Sequence, residues 1–426
     1  MSLGVAVLIF AVMLFLGVPI AICLASTGLI WLYTTPAIPS LVMATKIYAQ
    51  TDSFALMAIP FFMMAGQIME HTGITARFIE FAKSIVGHIR GGVAHTAMVA
   101  GVIMAGVSGS GNADTAAIGS LMIPALKNDE YDEGFAVSIV ASAGSLGPII
   151  PPSVMMIVFA NAAGYSVGKM FMGGVIPGVL MAVGFCTLSY HYAKKNGIGG
   201  GKFGGWLNVG RTFLRTVGAL VMPAIIIVGI VTGICTATEA GVVACVYGLI
   251  YGFATKSLTP KIIMKSLTEA CIASIGPMMI ITYSSVFSYM LTRMNVSIMI
   301  GNFCNEYIHS KIVFLLFIIV ICSIAGCFID GLATMLMLLP VLSPVVSSMG
   351  LNFQHFALVY VLALLTCQIT PPVGNLLYVA AGIQKTPVKK VMKSIWPFVV
   401  IMELVILLTV FVPQIVTWLP DIIYGG

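Results

Sequence analysis

The sequence predicts an all-α polytopic membrane protein whose two halves are inverted-topology repeats. Three observations lead to this class: the composition, the length of the apolar runs, and the order in which polar patches interrupt them. The 426 residues are 59% hydrophobic and only 8% charged, with a mean hydropathy of +1.08. An average soluble domain is roughly 45–50% apolar and about 25% charged, so the composition excludes an ordinary soluble protein.

The apolar runs predict membrane-spanning helices. Residues 1–45 and 331–384 contain no Asp, Glu, Lys or Arg. About 20 apolar residues cross the hydrocarbon layer, and several runs are longer than that. A transmembrane β-barrel needs short alternating strands, and the sequence lacks that alternation. The net charge of +6 comes from basic residues in short loops, so it indicates membrane topology and not a nucleic-acid partner.

The two halves of the chain resemble each other at an offset of 220 residues. Pro151-Pro152 in the first half matches Pro371-Pro372 in the second. A basic, glycine-rich segment at 194–211 separates them and has the composition of a flexible cytoplasmic linker. We therefore expect a first repeat at 1–193 and a second at 212–426.

The placement of lysines indicates that the repeats are inverted. The loop at 256–265 holds three lysines, whereas its repeat mate at 36–45 holds no charge. The loop at 385–393 holds four, whereas its mate near 165–173 holds only one. Because basic loops stay in the cytoplasm, equivalent loops lie on opposite sides of the membrane. Inverted repeats of this kind are typical of secondary transporters.

Two polar patches predict re-entrant helical hairpins. The first, GVSGSGNADT at 106–115, divides an apolar run whose two arms both return to the basic side. It predicts a hairpin at about 91–127 with its tip near the middle of the membrane. The second patch, GCFIDG at 326–331, predicts the mirror hairpin at about 312–349.

Two further patches predict helices that are broken inside the membrane. They lie at 142–153 and 366–375, and each contains a Pro-Pro pair that removes backbone donors. Unwound backbone at membrane depth is tolerated where it lines a cavity or holds an ion. Carbonyls with Ser, Thr and Asn oxygens suit a hard cation such as sodium, and helix N-termini suit a carboxylate. We expect one such site in each half, with the substrate between them.

Two acidic residues accompany the hairpin tips, and their role is open at this point. Asp114 and Asp330 each precede an apolar helix, so each is either an N-cap or a functional carboxylate within the membrane. The serines and glycines of 106–111 are also compatible with close helix packing.

The sequence does not predict an enzyme. The residues at 106–109 fit the GxSG form of intramembrane serine proteases, but those enzymes need a histidine base buried on another span. The six histidines lie mostly at helix ends or in loops. The chain has no Walker A sequence, so it does not itself hydrolyse ATP. A non-transporting scaffold or receptor would have little use for polar tips inside the membrane.

Five segments, in order along the chain, carry a family resemblance. They are GVSGSGNADTAAIGSLMIPAL (106–126), GPIIPPS (147–153), TATEAG (236–241), IDGLATMLMLLPVLSP (329–344) and ITPPVGNLLYVAAGI (369–383). Together they resemble the large membrane (M) subunit of tripartite ATP-independent periplasmic (TRAP) transporters, over essentially the whole chain. The sequence departs from that pattern at Asn112, where many members have proline, and at Leu332, where a small or hydroxyl residue is commoner.

The resemblance implies sodium-coupled uptake of an organic acid, of the sialic acid or C4-dicarboxylate class, across the bacterial inner membrane. It implies two protein partners, a soluble periplasmic substrate-binding protein and a small four-helix membrane subunit. The fold resembles an elevator transporter, in which the hairpins and broken helices move against a scaffold. The alternative is a stand-alone sodium/dicarboxylate symporter or ion exchanger of similar inverted-repeat fold.

Carried over by motif, the resemblance implies at least two bound sodium ions and a carboxylate substrate between them. The ligands of the first sodium site are Ser108, Ser110, Asn112, Gly144 and Pro148. The ligands of the second are Gly326, Asp330, Thr366, Thr370 and Gly374. The substrate candidates are Ser108, Ser153, Asp330 and Asp114.

Overall fold

The computed structural model describes residues 1–35, 38–39, 41–308 and 310–425, and its regular structure over these ranges is entirely helical. This confirms the all-α class. The helices before the mid-chain linker are α1 Leu3–Phe15, α2 Ile20–Tyr33, α3 Leu41–Thr51, α4 Ala58–His71, α5 Ile74–Val86, α6 Gly92–Ser108, α7 Gly111–Asn128, α8 Glu133–Ser145, α9 Val154–Ala163 and α10 Val167–Lys195. Those after it are α11 Trp206–Val231, α12 Ala237–Ala254, α13 Pro260–Arg293, α14 Val296–Tyr307, α15 Lys311–Gly326, α16 Gly331–Ser348, α17 Phe353–Thr366, α18 Asn375–Gln384, α19 Val388–Phe411 and α20 Gln414–Tyr424.

Many of these helices have the length and composition of membrane spans. Within the described ranges, seven helical segments are long and apolar enough to cross a membrane, among them α10, α11, α13 and α19. Others are apolar but shorter, including α6 with 17 residues and α15 with 16. A helix of that length falls short of a full span, which suits an arm of a hairpin.

Both expected hairpins are present as two helices joined by a short turn. In the first, α6 ends at Ser108 and α7 begins at Gly111. Gly109 between them has φ +59°, and a Cβ there would lie 2.4 Å from the carbonyl oxygen of Pro152, so the turn requires glycine. In the second, α15 ends at Gly326 and α16 begins after Asp330. The side of the membrane from which each hairpin enters stays a prediction.

Both expected helix breaks are also present. The first separates α8 from α9 over residues 146–153, and the second separates α17 from α18 over residues 367–374, part of which forms a 3₁₀ turn. Prolines supply no backbone N–H and end the helices in both places. The Pro151-Pro152 and Pro371-Pro372 peptide bonds are cis.

The same order of elements recurs in the two halves. Helices α6 to α10 have 17, 18, 13, 10 and 29 residues, and helices α15 to α19 have 16, 18, 14, 10 and 24. The two sets are packed crosswise, because α7 packs against α18 and α16 packs against α9. Each hairpin is therefore supported by the broken helix of the other half.

An aromatic cluster joins the two halves near one end of these helices. The ring of Phe135 on α8 stacks on Tyr192 of α10, with centroids 3.6 Å apart. It also meets Phe398 of α19 at 5.4 Å, and Phe185 of α10 reaches the same Phe398 ring at 5.6 Å. Contacts between such rings add to the stabilisation that comes from burying their area.

The mid-chain linker is shorter and more ordered than its composition predicts. Helix α10 continues to Lys195 and α11 begins at Trp206, which leaves residues 196–205 between them. The backbone N–H of Gly201 donates to the carbonyl of Gly87, and Gly199 accepts from the N–H of Gly91 at 2.9 Å. Because glycines carry no side chain, this segment can lie close to the turn before the first hairpin.

Candidate functional site

A cavity of about 620 Å³, here called the central cavity, lies where the hairpin tips and helix breaks meet. The tip of the first hairpin lines it over residues 108–113, and Pro148 contributes from the first break. Asp330 reaches it from the second hairpin, and Gln368 and Asn375 reach it from the second break and the start of α18. Helices α4 and α13 form the remaining wall. The two halves of the chain thus line a single cavity.

The charged side chains on the walls of the central cavity are acidic. They are Glu70 of α4 and Asp330, and no Lys, Arg or His is among the described residues that line it. A carboxylate that enters this cavity meets charge of its own sign. In surroundings less polar than water that repulsion is strong, so an accompanying cation is needed to offset it.

The tip of the first hairpin is held by hydrogen bonds of Ser108. Its hydroxyl oxygen accepts from the backbone N–H of Ser110 at 3.0 Å. The same hydroxyl donates to Oδ1 of Asp114 at 2.6 Å. Ser108 and Ser110 are both half-buried and both face the central cavity, whereas Asn112 is exposed at its edge. The structure therefore brings these three predicted ligands to one tip.

Asp114 lies behind that tip and is fully buried. Ser110 occupies the N-cap position of α7, and Asp114 is the fourth residue of the helix, so the carboxylate does not act as its N-cap. Oδ1 accepts from Ser108, but Oδ2 has no hydrogen-bond partner among the described residues. A buried carboxylate oxygen without a partner is costly, and a bound cation or a proton removes that cost.

Other oxygen atoms lie around the same point. A Cβ on Gly147 would lie 2.4 Å from Oδ2 of Asp114 and 3.1 Å from the carbonyl oxygen of Gly144. A Cβ on Gly144 would lie 1.9 Å from Oγ1 of Thr115, which is buried and has no partner in the described part of the chain. The absence of side chains at these two glycines lets the side-chain oxygens of Asp114 and Thr115 approach the backbone there. Such a cluster of oxygens suits a hard cation.

Asp330 is the N-cap of α16 and also faces the central cavity. One carboxylate oxygen accepts from the backbone N–H of Leu332 at 3.0 Å. The residue is exposed within the cavity, in contrast to Asp114. Both roles considered for this residue are therefore compatible with its position.

The other predicted ligands of the second sodium site lie beside the second break but do not line the central cavity. The hydroxyl of Thr366 donates to Leu362, and that of Thr370 donates to Thr366, so both are engaged with backbone carbonyls. Gly374 is the N-cap of α18. Gly326 packs against Cys367, since a Cβ there would lie 2.3 Å from the Cys367 Sγ.

Ser153, a predicted substrate residue, is fully buried and caps α9. Its hydroxyl accepts from the N–H of Met156 at 3.2 Å and donates to the carbonyl of Pro148 at 2.6 Å. The structure thus places Ser153 inside the first break and not on the cavity wall, while Pro148 does line the cavity.

Sequence reasoning missed five polar residues at the site, one of which is Asn375 at the start of α18. Gln67 and Glu70 come from α4, a helix with no break or unusual motif. Gln368 lines the cavity with a buried Oε1 that has no partner among the described residues, and Thr115 is the neighbour of Asp114. Gln368 and Thr115 lie within the polar patches of the sequence, so their polarity could have identified them as site residues. Nothing local distinguishes Gln67 or Glu70.

The helices, hairpins and breaks around a cavity with acidic side chains define a class: a multi-pass helical membrane transport protein. The family model described as Tripartite ATP-independent periplasmic transporter, DctM component, matches residues 7–415. The chain therefore belongs to this family of TRAP transporter large permeases and is a multi-pass protein of the inner membrane.

Three relatives show the range of proteins in this family. The isethionate TRAP transporter permease protein DctMQ of Oleidesulfovibrio alaskensis is 36% identical over 95% of this chain, which spans 64% of that protein. The sialic acid large permease SiaM of Vibrio cholerae is 31% identical, with 97% of each chain covered. The C4-dicarboxylate large permease DctM of Rhodobacter capsulatus is also 31% identical, over 98% of this chain and 99% of its own.

A solved structure supports the fold. The YdaH transporter of Alcanivorax borkumensis, described as having an unusual topology, superposes with a TM-score of 0.66. The superposition covers 95% of this chain and 97% of the YdaH chain, at 11% sequence identity. At that identity the likeness concerns the fold alone.

Proposed function

We propose that this chain is the permease subunit of a sodium-coupled system that takes up an organic acid. The observation that carries the proposal is the charge of the central cavity, which has Glu70 and Asp330 on its walls, Asp114 behind one tip, and no basic residue among its described lining. An anionic substrate in such a cavity needs cations beside it. We therefore take an inward sodium gradient as the driving force for uptake of the anion.

The first sodium ion binds at the tip of the first hairpin. Its ligands are oxygens of Ser108, Ser110 and Asn112 with Gly144 at the end of α8 and Pro148 in the first break, and the hydrogen bonds of that tip support this placement. The unpartnered Oδ2 of Asp114 next to Gly147 and Oγ1 of Thr115 next to Gly144 supply further oxygens. We therefore assign Asp114 to the cation and not to the substrate.

A second sodium ion binds between the second hairpin and the second break, at Gly326, Asp330, Thr366, Thr370 and Gly374. The packing of Gly326 on Cys367 supports this by bringing the hairpin tip beside the break. Binding at both sites orders the tips and favours the state that accepts the substrate, because a ligand shifts an equilibrium by its differential affinity for the two states.

The substrate is an organic anion that binds between the two tips, next to Ser108 and Asp330. The relatives named for sialic acid and C4-dicarboxylates support a carboxylate, whereas the isethionate relative extends the class to a sulfonate. A soluble periplasmic binding protein delivers the anion, and a small four-helix membrane subunit packs against this chain; membership of the family supports both partners.

Transport proceeds by an elevator movement. The crosswise packing of α7 on α18 and of α16 on α9 supports it, because this packing makes the hairpins and broken helices one body. That body moves against α4 and α13, which form the opposite wall of the central cavity.

The test is uptake by the complex reconstituted in liposomes with the small subunit and the binding protein. We expect uptake only when sodium is higher on the side that holds the binding protein. Equal uptake with choline in place of sodium would overturn the coupling. Uptake that needs no binding protein would instead favour a stand-alone symporter or exchanger.

A further inference from the structure

A second cavity, of about 600 Å³ and here called the outer cavity, lies farther along the same helix that lines the central one. Residues 273–280 of α13 face the central cavity, and residues 281–292 face the outer cavity. Helix α3, the end of α9 and the hairpin arm α16 complete its walls. Leu332 of α16 faces the central cavity, while Leu336 of the same arm faces the outer cavity, so one hairpin arm separates the two.

The outer cavity differs from the central cavity in the sign of its charge. Lys46 of α3 is the charged residue on its wall, and no Asp or Glu is among its described lining residues. Lys46 is exposed, and no ion pair joins it to an acid within the described ranges. The field of its ammonium group therefore reaches into the cavity without being neutralised there.

A tyrosine on the wall is held by two cations. The ammonium nitrogen of Lys46 lies 5.3 Å from the centroid of the Tyr289 ring, and the guanidinium carbon of Arg293 lies 5.7 Å from it. Nε of Arg293 donates to the Tyr289 hydroxyl oxygen at 3.1 Å. The Trp31 and Tyr289 rings pack edge-to-face, with centroids 6.2 Å apart. Because the phenol oxygen accepts from Arg293, its own proton is available to donate to an anion.

Hydroxyl groups continue this polar surface along α13. Ser285, Ser288 and Thr292 follow each other at spacings of three and four residues, which places them on one face of the helix. Ser343 of α16 faces them across the cavity. The hydroxyls of Ser285 and Thr292 donate to the carbonyls of Thr282 and Ser288 at 2.6 and 2.9 Å. A hydroxyl can turn from such a bond to donate to a bound anion, so this face can supply donors at successive positions.

We propose that the outer cavity is an anion-binding vestibule that holds the carboxylate of the substrate before it reaches the central cavity. Lys46, the Tyr289 hydroxyl and the hydroxyls of α13 attract and orient the anion. The acidic central cavity then receives it only together with sodium. This inference rests on the proposed transport of an organic anion. It adds a binding site that is separate from the two sodium sites.

The loops beside the outer cavity place it on the periplasmic side. The segment at 36–45, which precedes Lys46, holds no charge, and the segment at 297–310, which follows Arg293, holds no Lys or Arg. Basic segments stay in the cytoplasm, so these two segments, which include the start of α3 and most of α14, belong on the other side of the membrane. The opposite end of α13, at Lys265 and Glu269, adjoins the lysine-rich loop at 256–265.

The test measures the electrostatic potential inside the outer cavity directly. Ser288→Cys is expressed with the small subunit in spheroplasts and treated with two membrane-impermeant methanethiosulfonates, one anionic and one cationic. The reaction of the unmodified chain, which has nine cysteines, is subtracted. We expect the ratio of the anionic to the cationic rate to fall about tenfold when Lys46→Glu is added, because a charge of one sign concentrates its counter-ion in a cleft.

The matched control is Lys311→Glu, the same change of charge at α15, whose ammonium group donates to the carbonyl of Gly350 and lies outside the outer cavity. It should leave the ratio unchanged. An equal fall with Lys311→Glu, no fall with Lys46→Glu, or no reaction of Ser288→Cys with either reagent would overturn the proposal. These rates require neither sodium nor substrate, so they are independent of the proposed coupling.

A second measurement separates recruitment of the anion from the later steps of transport. In liposomes, Lys46→Gln should raise the KM for the organic acid several-fold and leave kcat and the sodium dependence unchanged. A loss of kcat with an unchanged KM would overturn the vestibule and give Lys46 a structural role instead.

Discussion

The hydroxyl of Ser108 donates to Oδ1 of Asp114 at 2.6 Å, which links the tip of the first hairpin to the helix that follows it. The second carboxylate oxygen of Asp114 is left without a partner among the described residues, next to Gly147 and behind the central cavity. The geometry of the tip and the charge of the buried carboxylate are therefore coupled, and four predictions follow from this site and its surroundings.

Asp114→Asn should weaken sodium binding and preserve the fold. An amide of the same size still accepts from Ser108 through its carbonyl oxygen, but it no longer neutralises a cation. We expect the sodium concentration for half-maximal uptake to rise at least about tenfold, the equivalent of about 1.4 kcal/mol. The control is Asp421→Asn, an exposed aspartate on α20. An unchanged sodium dependence in Asp114→Asn would remove this carboxylate from the cation site.

Gly144→Ala should destabilise the first helix break. Its Cβ would lie 1.9 Å from Oγ1 of Thr115 and 3.0 Å from the carbonyl oxygen of Gly111, so α7 and α8 must move apart. Overpacking of this kind costs about 1–3 kcal/mol, which should lower the midpoint of thermal unfolding in detergent.

The control for that substitution is Gly382→Ala on α18, where a Cβ would have nothing within 4 Å. Alanine is favoured over glycine inside a helix by about 0.5–1 kcal/mol, so this variant should unfold at the same temperature or slightly higher. The prediction is wrong if the two variants behave alike.

Substitutions of Asp330 separate its two roles. Asn caps a helix about as well as Asp, so Asp330→Asn should keep the bond to the N–H of Leu332 and the stability of α16. Asp330→Ala loses the cap and about 1 kcal/mol of stability. Both variants should lose sodium-dependent uptake if the charge is needed. Uptake by Asp330→Asn at the normal rate would leave this residue as a helix cap only.

Glu133→Gln should loosen the contact between the two halves at the start of α8. One carboxylate oxygen accepts from Lys127 at 2.9 Å and from Thr386 at 3.1 Å, and the other accepts from Lys390 at 3.1 Å. The two lysines hold the pKa of Glu133 at about 2, below its usual 4.5. The lysines are exposed, so the expected loss at neutral pH is about 1 kcal/mol.

The sign of this pH dependence follows from the lowered pKa. Stabilisation by the Glu133 carboxylate is complete above about pH 4.5 and is lost as the pH falls toward 2. The difference in unfolding midpoint between Glu133→Gln and the unsubstituted chain should therefore be constant near neutral pH and narrow below about pH 5. Glu130→Gln, an exposed acid in the same loop, should show no such difference.

The parts of the site that the sequence predicts are those determined by local chemistry. Proline pairs end helices because they supply no backbone N–H. The glycine and serine patches form turns because these residues have a low propensity to continue a helix. For that reason the helices of both hairpins begin and end within a residue or two of the expected positions, whereas the first break begins four residues later than expected. The residues of α4 could not be predicted, because Gln67 and Glu70 reach the cavity only through the packing of α4 against other helices.

The mid-chain linker is a segment whose structure its composition does not predict. Its glycine-rich composition is typical of a flexible chain, yet Gly199 and Gly201 form backbone hydrogen bonds with the turn before α6. Composition predicts the flexibility of a segment in the absence of tertiary contacts. Whether a neighbouring backbone offers donors and acceptors at the right distance depends on tertiary structure.

The crosswise packing of α7 on α18 and of α16 on α9 has a consequence for biosynthesis. When the ribosome has completed the first half, its hairpin and broken helix are in the membrane, but the helix that covers α7 has yet to be made. About 180 further residues must be translated and inserted before α18 arrives. Until then the first break already contacts the tip, but the face of α7 that packs on α18 lacks its permanent neighbour and is exposed in the membrane.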